Sequence, residues 1–110
     1  MIFDKDGNIS IITQEKASIV ELVKKLQIIY SRFKNDNIII NLTTLKPLSV
    51  EDLIEFLQIS NQHRKAKQSF VIVTDKIHND HTPDELIIVP TLQEAYDIIE
   101  MEEIERDLGF

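Results

Sequence analysis

The sequence predicts an α/β protein, a small mixed β-sheet with an N-terminal hairpin and covering helices, in a single domain over residues 1–110. Three observations carry that expectation. Residues 38–42, 70–73 and 86–89 are short, nearly continuous apolar runs rich in β-branched side chains; they lack alternation, as strands covered on both faces do. Around them, apolar residues recur at three- and four-residue steps, the signature of one buried helix face. Each periodic stretch is preceded by Ser or Thr with an acid three residues later (Ser18/Glu21, Ser49/Asp52, Thr91/Glu94), a spacing that satisfies helix-end amides reciprocally.

In chain order, strands near 2–4 and 8–13 flank Asp6-Gly7-Asn8, a reverse-turn signal because glycine reaches positive φ without penalty. A helix is predicted over 18–33, burying Ile19, Leu22, Val23, Leu26, Ile29 and Tyr30, with Asn35-Asp36-Asn37 ending it. After the strand at 38–42, a helix over 50–64 is expected to turn Val50, Leu53, Ile54, Leu57 and Asn61 inward, with Phe56 and Ile59 at the margin. His63, Arg64, Lys65 and Lys67 read as its solvated end. Residues 75–84 are polar and aperiodic and read as a loop between the last two strands; Pro90 ends the second of these, and a helix follows over about 92–107.

Charge and motif content narrow the function. Nineteen acidic residues against twelve basic ones, a net charge of −7, oppose nucleic-acid binding, which needs local positive charge to neutralise phosphates. There is no cysteine, hence no thiolate chemistry or disulfide. The start carries no signal-peptide pattern and no run reaches the ~20 apolar residues of a membrane span, so a cytoplasmic protein without membrane insertion is expected. The two glycines, Gly7 and Gly109, cannot build a phosphate-cradling loop. Asp75, His78, Asp80, His81 and Asp84 are competent ligands, yet they sit in a polar stretch without the H-E-x-x-H pattern, so a solvated loop rather than a metal site is expected. No catalytic residues and no cofactor are predicted.

The segment IIINLTTLKPLSVEDLIEFL, residues 38–57, resembles the central strand, loop and helix of the STAS domain family, found in anti-sigma factor antagonists and in cytoplasmic parts of anion transporters. The hairpin, the strand at 70–73 and the ending LIIVPTLQEAYDII are compatible with that fold. The resemblance implies a regulatory protein-binding module. Family members end this strand on an aspartate, a hydrophobic residue and a serine or threonine; here these are Asn41, Leu42 and Thr43. The family's hydrophobic residue and Asp-Ser-Ser-Gly-Leu at the helix start correspond to Leu48-Ser49-Val50-Glu51-Asp52-Leu53. Leu48 and Leu53 keep the packing places, while the phosphoacceptor place holds Val50, leaving Ser49 as the nearest, non-standard phosphoacceptor.

The function expected is therefore non-catalytic docking onto a protein partner, with an accessory subunit of an enzyme or transporter-type complex as the alternative, ahead of a small-ligand or metal-binding domain. Thr43, Lys46, Ser49, Val50 and Glu51 are the contact residues the resemblance suggests. The last helix adds others. Residues 91–110 hold seven acids against Arg106 alone. Leu92, Ala95, Tyr96 and Ile99 form one apolar series, and Ile98, Met101, Ile104 and Leu108 a second one turned away from it. Met101, Ile104 and Leu108 are expected either to meet a partner or a second copy of the chain, or to pack back on the first helix or the hairpin.

Overall fold

The computed structural model describes residues 1–16, 18–76 and 82–109. Among the described residues, five strands join one sheet in sequential order, β1 (Ile2–Asp6), β2 (Ile9–Thr13), β3 (Asn37–Asn41), β4 (Phe70–Val73) and β5 (Ile87–Val89). β1 and β2 are antiparallel and every later pair is parallel, so the sheet is mixed as expected. The hairpin closes on Gly7-Asn8. Only Gly7 has positive φ, +60°, the demand a two-residue turn of type II′ places on its first central position.

Parallel neighbours need crossovers, and both long ones put helices on the same face of the sheet. There α1 (Ile19–Ile28), α2 (Val50–Ile54) and α3 (Leu57–Lys65) bury Leu22, Leu26, Leu53, Phe56 and Ile59 against Ile12, Ile38, Ile40, Phe70 and Ile72. α4 (Leu92–Asp107) covers the opposite face, packing Ala95 and Ile99, with Tyr96 and Ile98 at the margin, on Ile9, Ile11, Ile39, Val71 and Val73. Residues 38–40 and 70–73 are fully buried on both faces, which is why they show no alternation.

Four details correct the sequence expectations. The first helix stops at Ile28, not residue 33: a 3-10 turn over Tyr30–Arg32 follows, aiming Tyr30 and Phe33 into the core. The helix expected over 50–64 breaks at Glu55–Phe56 into α2 and α3. Its buried face is not the one expected. Phe56 and Ile59 are wholly buried and Ile54 and Asn61 exposed. Apolar residues occur all round this segment, and packing of Phe56 on Phe70, ring centroids 6.4 Å apart, selects among faces that spacing leaves equivalent. Finally, His63 is buried and Arg64 half-buried in an ion pair, so only Lys65 and Lys67 form a solvated helix end.

Candidate functional site

The carboxyl ends of β2 to β5 lie at one end of the sheet, where α1, α2 and α4 begin. Open α/β sheets recruit ligands and partners at this end, because the loops there are free to vary while the strands hold them in place. Here the loop between β3 and α2 is pinned through its backbone. Asn41 Oδ1 accepts from the Thr43 amide at 3.2 Å and the Thr43 hydroxyl at 2.9 Å, an Asx-type turn. Lys76 Nζ donates to the carbonyls of Thr43 (2.7 Å) and Leu45 (3.3 Å), and the Lys76 carbonyl accepts from the Leu48 amide at 2.9 Å. Leu42, Leu45 and Leu48 are buried beneath the loop. The backbone is therefore held while Thr44, Lys46, Pro47 and Glu51 remain exposed and Thr43, Ser49 and Val50 half-exposed.

Ser49 caps α2. Its Oγ accepts from the Asp52 amide, and Asp52 Oδ2 accepts from the Ser49 amide, both at 3.2 Å. Of the three spacings singled out in the sequence, this one forms both reciprocal bonds; Ser18 and Thr91 each accept from the amide three residues on. Glu51 and Asp52 place negative charge on the first turn of α2, which suits self-capping and opposes an external phosphate. Beside the cap runs an open groove of about 380 Å³ between the start of α1 (Glu15, Ser18, Ile19) and the loop (Thr44, Lys46, Pro47). It mixes apolar walls with charges of both signs, Glu15 and Asp52 against Lys46.

The expected contact residues split into two sets that the fold keeps apart. Thr43, Lys46, Ser49, Val50 and Glu51 gather at this end. Met101, Ile104 and Leu108 lie on the distal half of α4, which runs back toward the amino ends of the parallel strands, as contacts of Arg106 with Asn37 and Ser69 show. These three residues are 50%, 53% and 67% exposed and belong to neither buried cluster. α1 lies across the sheet, and it is Tyr96 and Glu103 that reach the hairpin, through Asp6 (3.1 Å) and Asn8 (2.7 Å). Of the ligand-type cluster at 75–84, Asp75 and Asp84 are exposed, whereas His78, Asp80 and His81 lie outside the described residues. No group of three ligating side chains converges among the described residues.

At the amino ends of the strands sits a polar network that the sequence did not announce. Asn37 Oδ1 accepts from the Ser69 amide (2.8 Å) and from Arg106 (3.2 Å). Arg106 also donates to Ser69 Oγ (3.2 Å), and Ser69 Oγ donates to Glu102 at 2.6 Å. Arg64 grips both oxygens of Glu102, at 2.7 and 3.3 Å. Burial alone would raise the Glu102 pKa, but hydrogen bonds from Arg64 and Ser69 and the charges of Arg64 and Arg106 hold it below the ordinary carboxylate value. Alongside, His63 lies 2.7 Å from the Asp36 carbonyl through Nε2 and 2.6 Å from the Tyr30 hydroxyl through Nδ1. A carbonyl only accepts, so Nε2 carries the proton and Nδ1 accepts from Tyr30. Burial pushes the His63 pKa down, outweighing the opposite pull of Asp36, and pushes that of Tyr30 up. A signal for His63 did exist: Phe56, Ile59, Ser60 and His63 stand at i, i+3, i+4, i+7.

Neither a scan against protein-family models nor a search of the curated proteins finds a match to this chain. No helix among the described residues is long and apolar enough to cross a membrane.

Proposed function

We infer that the chain is a non-catalytic, STAS-like regulatory module that docks onto a protein partner through the β3–α2 loop and the first turn of α2. The observation that carries this reading is the pairing of a pinned backbone with free side chains at that loop. Lys76 and the Ser49–Asp52 cap hold the main chain, so the backbone that presents Lys46, Pro47, Val50 and Glu51 is already ordered and loses little conformational freedom on binding. The resemblance of residues 38–57 to the anti-sigma factor antagonists supplies the class of partner, a kinase-like or sigma-regulatory protein. Val50 stands at the phosphoacceptor place and the Ser49 hydroxyl is engaged in its cap, so binding on this reading is constitutive rather than switched by phosphate.

The test is affinity capture from native lysate with the wild-type chain and with Lys46→Glu/Glu51→Lys, identifying bound proteins by mass spectrometry. The expected result is a kinase-like or sigma-regulatory protein retained by the wild type and lost by the variant at an unchanged urea midpoint. A single stoichiometric enzyme held equally by both replaces this reading with that of an accessory subunit. Intact mass of the chain from its native host tests the constitutive part. A major species about 80 Da heavier, mapped to residues 49–60, overturns it.

A further inference from the structure

The outer face of α4 carries an apolar ridge that is left exposed among the described residues. At about 100° per residue, Met101, Ile104 and Leu108 fall within ~60° of one another, roughly opposite the face that Ala95, Ile99, Glu102 and Arg106 turn inward. All three are at least half exposed, consecutively along the last two turns. Isolated exposed aliphatics are ordinary, but three aligned on one helix face make a continuous strip. Acids flank it: Asp97, Glu100 and Asp107 are exposed around the same arc, with Glu105 on its shoulder. The helix's one cation, Arg106, is spent inward on Ser69 and Asn37.

We propose that this ridge is a second docking surface, whose occupant is a protein element presenting aliphatic side chains rimmed by lysine or arginine. Charge selects that occupant. A second copy packing α4 on α4 would bring two acidic rims together with no cation between them, and like charges juxtaposed across an interface oppose association. An anionic membrane surface is repelled for the same reason. A basic-rimmed amphipathic helix meets both requirements at once, burying the strip and pairing the rim. The surface goes beyond the loop proposed above and is independent of it, since it lies at the other end of the sheet.

The probe is an 18-residue leucine–lysine amphipathic helix, fluorescently labelled and titrated with the whole chain. Three comparisons accompany it: a scramble of the same composition that cannot segregate leucine from lysine, a leucine–glutamate counterpart, and vesicles of phosphatidylcholine with and without phosphatidylglycerol. The expected result is saturable binding of the leucine–lysine helix alone, weakened by salt. It should weaken at least about tenfold, or 1.4 kcal/mol, in Ile104→Asp/Leu108→Asp. In Glu100→Lys/Asp107→Lys the preference should move toward the leucine–glutamate helix, an arm that leaves the apolar ridge and the fold untouched. Because the β3–α2 loop lies at the other end of the sheet, the loop variant Lys46→Glu/Glu51→Lys should leave binding of the probe unchanged. No binding, equal binding of the scramble, or binding indifferent to both α4 variants overturns the proposal. So does vesicle binding lost in the apolar variant, or a wild-type dimer seen by sedimentation and dissociated by it.

Discussion

The two ends of the sheet are held together by different means. At the carboxyl end, order comes from bonds to exposed-loop backbone: an Asx-type turn and a reciprocal helix cap, both local, and Lys76, which reaches two carbonyls more than 30 residues back, all under exposed side chains. At the amino end, order comes from side chains brought together across 27 to 69 residues of sequence, with Asn37, His63 and Ser69 wholly buried. A cap can be weakened one bond at a time, because water replaces a lost partner. A buried network fails as a unit, because each remaining group is stranded away from water. The difference suits the first end to contact with partners and the second to holding α3 and α4 in register.

The largest expected effect is at the buried end. Asn37→Ala strands the Ser69 amide and one nitrogen of Arg106 and should cost about 2–3 kcal/mol in urea unfolding. A cost below that of the Ser49 variant described next would break the contrast between the two ends. Ser49→Ala removes one cap bond at a half-exposed position and should cost about 1 kcal/mol.

Acid should find the buried end first. His63 has a folded pKa below its unfolded value near 6.5, so its neutral form is favoured by folding. Stability is then fully present above pH 6.5 and is lost progressively as the pH falls from there toward the folded pKa. Glu102, with its folded pKa below the ordinary 4.5, adds a second loss that starts only near that pH. Unfolding midpoints from pH 7.5 to 5.5 should therefore fall in the wild type and flatten in His63→Asn. A wild type with no slope in that window shows that His63 is not held neutral.

The smallest effect sharpens the contrast at the junction after α3. Lys67 adopts φ +66°, and its amide and that of Gln68 bond back to the carbonyls of Arg64 and His63, the Schellman arrangement that ordinarily places glycine at this position. Lys67→Gly should raise stability by about 0.5 kcal/mol, a gain from relieved backbone strain partly offset by the freer unfolded chain. A loss on this substitution means that the lysine side chain contributes more than its backbone costs.

Much of the fold was legible because its signals are local. The apolar runs at 38–42 and 70–73 could be recognised from composition alone, since a strand covered on both faces needs no polar positions. The caps at Ser18, Ser49 and Thr91 could be recognised because donor and acceptor lie three residues apart. The loop residues Thr43 to Glu51 are proposed as contacts through the resemblance at 38–57 and not through any chemistry of their own. The inward face of residues 50–64 was misjudged because Val50, Ile54 and Leu57 compete with Phe56 and Ile59, and only the position of Phe70 decides between them. Asn37 and Ser69 gave no warning, as a lone asparagine in a turn-forming triplet and a lone serine before a strand carry no sign of burial.

By itself, then, the sequence determined the mixed α/β class, the helix caps, the hairpin turn and the acidic, apolar character of α4, because each depends on neighbours within a few residues. The tertiary structure alone decided which side of the sheet each helix covers. It decided that α4 packs on the face opposite the other helices, leaving Met101, Ile104 and Leu108 exposed, and that Asn37, His63, Ser69, Glu102 and Arg106 meet. These outcomes depend on distances between residues far apart in the chain, and strand pairing sets those distances where periodicity cannot.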